Sequence, residues 1–173
     1  AQSPDPLFVI GDSMCRKLKL LCVEDSKSEA MLVKHVFSGW FDITLASTVS
    51  AAIAEIQKKH HDVVLLDLHL PDGEGIEVFK TVSRVFEAAS NEKLPVVVYS
   101  SSLDENLIRS LVDHGCQYIF AKDRKTMSEL LGEIAKSVLT KTVEKGTQLL
   151  EQFSQGSGVL VGGEKKNLEK HRV

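Results

Sequence analysis

Apolar runs and helical patterns alternate along the chain with a short period. Leu18–Val23 is an apolar run of strand length, and Ser26–Phe37 follows with Ala30, Leu32 or Val33, and Val36 or Phe37 near helical spacing. Phe41–Ala46 predicts a second strand, and Ser50–Lys58 a second helix with Ala51, Ala54 and Ile56 available to its inner face. Asp62–Leu66 predicts a third strand, apolar on both faces, and Glu74–Ala88 a third helix just after the Pro71-Asp72-Gly73 turn signal. Pro95–Tyr99 predicts a fourth strand, and Asp104–Asp113 a fourth helix closed by His114-Gly115. Gln117–Ala121 predicts a fifth strand, and a last helix begins near Thr126.

Five repeats of strand then helix imply a parallel sheet covered on both faces. The first, third and fourth strands are apolar without alternation, as central strands must be. Right-handed crossovers leave few topologies. The expected fold is α/β, a flavodoxin-like doubly wound five-stranded parallel sheet of order 2-1-3-4-5 with helices on both faces. Residues 1–16 read as an N-terminal extension, 17–140 as the folded domain, and 141–173 as a helical extension and flexible tail. Within the last segment, Lys141–Phe153 reads as a surface helix rather than a coiled coil, because two heptads interrupted by Gly146 are weak support. Gly156–Gly163 reads as a linker, and Glu164–Arg172 as a mixed-charge tail.

Composition narrows the functional classes. A 43% apolar share over 173 residues supplies a core, and a net charge of −3 argues against broad nucleic-acid binding. No apolar run reaches the roughly 18 residues of a membrane span. The first residues carry no basic stretch ahead of their apolar patch, so they do not read as a secretory signal. Cys15, Cys22 and Cys116 show no zinc spacing and read as free, buried or part-buried thiols, in keeping with a reducing cytoplasm.

In such a sheet, ligands bind outside the carboxyl ends of the strands. Glu24 and Asp25 follow the first strand, where a nucleotide binder would place a glycine-rich loop. Two carboxylates repel phosphate and attract a hard cation. Asp67 follows the third strand, and three carboxylates at one sheet edge call for a neutralising ion, magnesium (Mg2+) being the natural oxygen-seeking candidate. Ser100, Ser101 and Ser102 follow the fourth strand, where a hydroxyl can donate to a phosphoryl oxygen, although Ser102 reads better as part of a helix cap. Lys122 directly follows the apolar fifth strand at the same rim. Each residue alone has a plainer use: Asp25 or Ser26 as a helix cap, the lysine as a solvated charge. Only their conjunction at one end of one sheet points to cation and phosphoryl chemistry. By contrast, His60-His61 reads as a helix end, and His35 and His114 as isolated structural or exposed residues.

The pattern VEDS, then LLDLHLPDGEG, then PVVVYSS, then GCQYIFAKD resembles the receiver domain of two-component response regulators over about residues 17–140. The resemblance implies Asp67 as phosphoacceptor, Asp25 as direct magnesium ligand, Glu24 as a ligand through water, and the backbone carbonyl of His69 as the remaining protein ligand. It implies Ser100 as the switch hydroxyl and Lys122 as the contact to the phosphoryl oxygens. Two positions depart from the commonest pattern: Ile119 stands where many members carry an aromatic residue, and Asp123 where many carry proline.

The expected function is a phosphorylation-dependent signalling switch, not an enzyme acting on other substrates, although it promotes its own phosphorylation and dephosphorylation. The expected partners are a sensor histidine kinase or phosphotransfer protein and a downstream protein bound through helix 4, strand 5 and helix 5. A homodimer stays open; nucleic acid and membrane are not expected partners. The alternative is a receiver fragment of a larger regulator whose effector domain lies outside this chain. An aspartyl phosphatase would want a second acid two residues after Asp67, where His69 stands.

Overall fold

A computed structural model of the chain describes residues 8–9, 16–90, 95–138, 147 and 151. The chain divides into a unit spanning Ala1–Val138 and a second spanning Leu139–Val173. In the second unit only Thr147 and Glu151 are described, and both are helical. The expected surface helix over Lys141–Phe153, the linker and the tail otherwise lie outside the described residues, as does Cys15.

The first unit runs β1 (Phe8–Val9), β2 (Arg16–Val23), α1 (Lys27–Phe37), β3 (Phe41–Ala46), α2 (Val49–Lys58), β4 (Val63–Leu66), β5 (His69–Leu70), β6 (Gly73–Glu74), α3 (Ile76–Ser90), β7 (Val96–Ser100), α4 (Glu105–Asp113) and β8 (Tyr118–Ala121). A final helix, α5, covers residues 127–138. The parallel strands lie in the order β3-β2-β4-β7-β8. Counting only these five, the order is 2-1-3-4-5, as the repeats of apolar run and helix predict. Two short pieces were not anticipated. β1 pairs antiparallel with the start of β2, Phe8 opposite Lys17, and β5 and β6 make a hairpin of their own around Pro71 and Asp72.

Alternation within β2 shows how one strand serves two layers, since successive side chains point to opposite faces. Leu21 and Val23 join Val64, Leu66, Val96 and Val98 under α2, α3 and α4, with Val82 and Phe86 of α3 and Leu111 of α4 in the same cluster. Leu20 and Cys22 join Val63, Leu65 and Val97 on the other face, covered by Val33 and Phe37 of α1 and by Leu130 and Ile134 of α5. The buried face of α2 is Val49, Ala52 and Ile56 rather than the expected Ala51, Ala54 and Ile56. The helix starts one residue earlier than expected, with Thr48 as cap, and packs Val49, Ala52 and Ile56 inward, three and four residues apart, so that Ala54 is exposed. In α1, Leu32 is likewise exposed while Ala30, Val33 and Phe37 are buried.

The segment after β4 is braced rather than loose. Gly75 takes a left-handed backbone (φ 64°), and its N–H donates to the carbonyl of Leu68 at 2.8 Å. Only glycine adopts that conformation without a Cβ penalty. Asp72 accepts the backbone N–H groups of Val49 and Ser50 at 2.7 and 3.0 Å, which ties this segment to the first turn of α2. Those bonds hold its carboxyl below the usual range.

Candidate phosphoacceptor site

The parallel strands deliver their last residues to one rim. Glu24 follows β2, Asp67 follows β4, Ser100 closes β7 and Lys122 follows β8. Backbone bonds fix these positions: Glu24 N–H donates to Ala46 at 2.9 Å, Asp67 N–H to Val23 at 2.9 Å, and Lys122 N–H to Ser100 at 3.1 Å. These bonds stitch β2 to β3, β4 to β2 and β8 to β7 just where the polar residues emerge.

Asp67 is buried and fully engaged. One of its oxygens, Oδ1, accepts the Ser100 hydroxyl at 3.0 Å and the His69 N–H at 3.1 Å; the other, Oδ2, accepts Lys122 Nζ at 2.9 Å. The ammonium of Lys122 also donates to Glu24 Oε2 at 2.5 Å and to Glu29. Burial alone would lower the lysine pKa. The bonds to Glu24, Glu29 and Asp67 overrule that and hold it well above its ordinary value. Burial pushes Glu24 the other way for a carboxylate, up to about 7, against the pull of Lys122 and of the Ser26 N–H. Protonation of Glu24 and its ion pair are two answers to the same problem, too much negative charge in a dry place.

Of the residues expected from sequence, Glu24, Asp67, Ser100 and Lys122 meet here, and the His69 backbone meets them through its N–H. Asp25 does not join them: it is exposed, while the converging carboxylates are Glu24, Glu29 and Asp67, whose oxygens lie within 4.8 Å of one another. Glu29 escaped the sequence reading because it sits a turn inside α1 and not at a strand end. A signal existed, since Ser26-Lys27-Ser28-Glu29 has the Ser-x-x-Glu form of a capping box. Ser26 does cap α1, accepting from the Glu29 N–H. The reciprocal bond is missing because Glu24 Oε1 takes the Ser26 N–H at 3.0 Å, leaving the Glu29 carboxylate for Lys122.

The donor set suits a hard divalent cation. Three carboxylates face one ammonium, so the group carries an excess of negative charge, and all the available atoms are oxygens. The two departures from the commonest receiver pattern fall in and just after β8. Ile119 is half-buried against the α2–α3–α4 layer, and Asp123 is exposed in the turn after β8. Tyr99 is buried on the opposite face, its hydroxyl donating to the Lys125 carbonyl at 3.1 Å and its ring 5.8 Å from Lys122 Nζ.

Comparison with known proteins agrees with this fold. The response regulator receiver domain family matches residues 20–135. The chain belongs to that family. It is similar to the autoinducer 2 sensor kinase/phosphatase LuxQ of Vibrio cholerae, 29% identical over 72% of this chain and 14% of that protein. It is also similar to the sensor histidine kinase AruS of Pseudomonas aeruginosa, 28% identical over 78% of this chain and 14% of that protein. The chain thus spans about a seventh of the length of these relatives. In fold it resembles a CheY-like receiver domain protein from Methanospirillum hungatei, with a TM-score of 0.67 at 17% identity, covering 75% of this chain and 99% of that one. Among the described residues of this receiver, no helix is long and apolar enough to cross a membrane.

Proposed function

We propose that this receiver is a phosphorylation-dependent switch in which Asp67 takes a phosphoryl group from a phosphohistidine on a sensor kinase or phosphotransfer protein. The observation that supports this best is the single lysine shared between the candidate acceptor and two further carboxylates. An Asp67 oxygen attacks phosphorus in line. The new O–P bond forms as the P–N bond breaks, and its electron pair leaves with the imidazole nitrogen. Lys122 offers its ammonium to the equatorial oxygens, and Ser100 turns its hydroxyl from Asp67 Oδ1 to the attached group.

The proposed magnesium ligands are those the family resemblance implies, Glu24 through water, Asp25, Asp67 and the His69 carbonyl; Asp25, exposed here, would turn inward to the ion, while Glu29 stays with Lys122. When bound, the ion supplies neutralisation of the charge that builds on the phosphoryl oxygens. The proposed response then travels through α4 and β8 to a downstream protein, by contact with the face built from α4, β8 and α5. The receiver transfers no group to other substrates in this reading and works in the cytoplasm. The short span relative to its kinase relatives favours a second reading beside the first: this receiver is one part of a larger regulator or kinase.

The test is intact mass after incubation with acetyl phosphate and magnesium. A gain of one phosphoryl group per chain is expected, and no gain sinks the reading.

A further inference from the structure

Lys122 presents three N–H donors and no more. All three are spent in the resting site, one each on Glu24, Glu29 and Asp67. A lysine that is to hold a phosphoryl oxygen must first release one of these partners. The three are not equally easy to leave. The side chains of Glu24 and Asp67 are 7% and 6% exposed, so a carboxylate abandoned there stays dry and unpaired. The Glu29 side chain is 45% exposed, so water replaces the lysine at small cost. Among the described residues, Glu29 is also the partner with no other bond to its carboxylate, because Glu24 has taken the backbone N–H that would have closed its capping box.

On the reading proposed above, we infer that Glu29 is a positioning residue: it holds the Lys122 ammonium in the resting site and competes with the incoming phosphoryl group for it. Glu29 touches neither the phosphorus nor the attacking oxygen. It acts through the lysine, and it sets how readily Asp67 is phosphorylated.

The experiment compares the wild-type chain with Glu29→Gln at saturating magnesium, following phosphoryl uptake from acetyl phosphate by intact mass. The rate is expected to rise about fivefold in Glu29→Gln, the scale of one partly exposed bond to a charged group. In a Lys122→Gln background the same change is expected to do nothing. The Lys122 side-chain ammonium, read by nitrogen-15 NMR without any phosphodonor, is expected to exchange with water faster in Glu29→Gln. Equal rates in wild type and Glu29→Gln overturn the inference alone. So does the same acceleration in both backgrounds, which would mark simple repulsion of the anionic donor, and so does an unchanged ammonium signal. If the wild type itself takes up no phosphoryl group, the proposed function falls and this role falls with it.

Discussion

Two helices of this receiver begin with the same local signature. At α1 it is Ser26-Lys27-Ser28-Glu29, and at α5 it is Thr126-Met127-Ser128-Glu129. At α5 the box closes on itself. The Glu129 N–H donates to Thr126 Oγ1 at 3.3 Å, and Glu129 Oε2 accepts the Thr126 N–H at 2.8 Å. At α1 only half of it forms: Glu29 N–H reaches Ser26 Oγ at 3.4 Å, but Glu24 occupies the Ser26 N–H and the Glu29 carboxylate goes to Lys122. The signature fixes where a helix starts in both cases. What the glutamate then does depends on Lys122, 93 residues away in sequence, which no local rule contains.

The difference between a working end and a merely structural one is tested most severely at Asp67. Asp67→Asn is expected to lower phosphoryl uptake by more than about a hundredfold, in line with loss of a nucleophile, while the sheet stays folded. Normal labelling of that variant would dissolve the distinction altogether. Lys122→Met is the next largest. It leaves Glu24 and Asp67 buried without a counter-charge, and a broken buried pair costs about 3 kcal/mol. Urea unfolding in magnesium-free buffer is expected to show this loss, and added magnesium to restore part of it. The same midpoint as wild type would mean that the carboxylates are not held by this lysine.

A third place sharpens the contrast, because there a titratable ring is buried and, among the described residues, makes no close hydrogen bond. His61, just ahead of β4 at the far end of the sheet, is 1% exposed and neither ring nitrogen has a hydrogen-bond partner. Burial lowers its pKa from the ordinary 6.5, and the charges of Lys59 and His60 add to that, with Glu55 and a weak interaction with the Lys59 backbone opposing. The folded state therefore binds fewer protons than the unfolded one. Stability is full above about pH 6.5 and falls as the pH drops from there through the lower folded value. His61→Phe is expected to flatten that slope and to stabilise by about 1 kcal/mol at pH 6, because an unsatisfied buried group is removed. An unchanged slope in thermal melts across about pH 5.5–7.5, one unit either side of the ordinary histidine value of 6.5, would count against it.

The smallest expected effect lies at the intact box. The bonds from Thr126 hold the Glu129 pKa below the ordinary 4.5. Its contribution is present above that ordinary value and is lost as the pH falls through the lower folded one. Glu129→Gln is expected to weaken α5 slightly and to erase this acid dependence, with phosphorylation unaffected. A change in phosphorylation rate here as large as in Glu29→Gln would show that the two boxes do not differ in role.

The layers and strand order were legible because apolar runs and helical spacing are written locally, and right-handed crossovers allow few arrangements. Phase was less legible. The second helix buries Ala52 instead of Ala54, and nothing in so alanine-rich a segment distinguishes the two. The β5–β6 hairpin hid inside a turn signal. In the site, residues adjacent to strand ends were legible because the sheet itself delivers them. Glu29 was not, since its position is set by the diversion of one N–H to Glu24. The exposed placement of Asp25 was not legible either, since adjacent residues after a strand face different ways and sequence does not say which.

The bond between Glu24 and Lys122 spans most of the receiver, from the second strand to the eighth. A polypeptide emerging from the ribosome makes its carboxylates early and its balancing cation late. Until the segment carrying Lys122 has been synthesised and β8 has docked beside β7, Glu24 and Asp67 face each other without relief, and closing so long a loop is slow. A nascent chain is thus unfit to receive a signal before translation of the receiver is nearly complete, and a message truncated ahead of Lys122 yields a product that lacks the cation this site is built around.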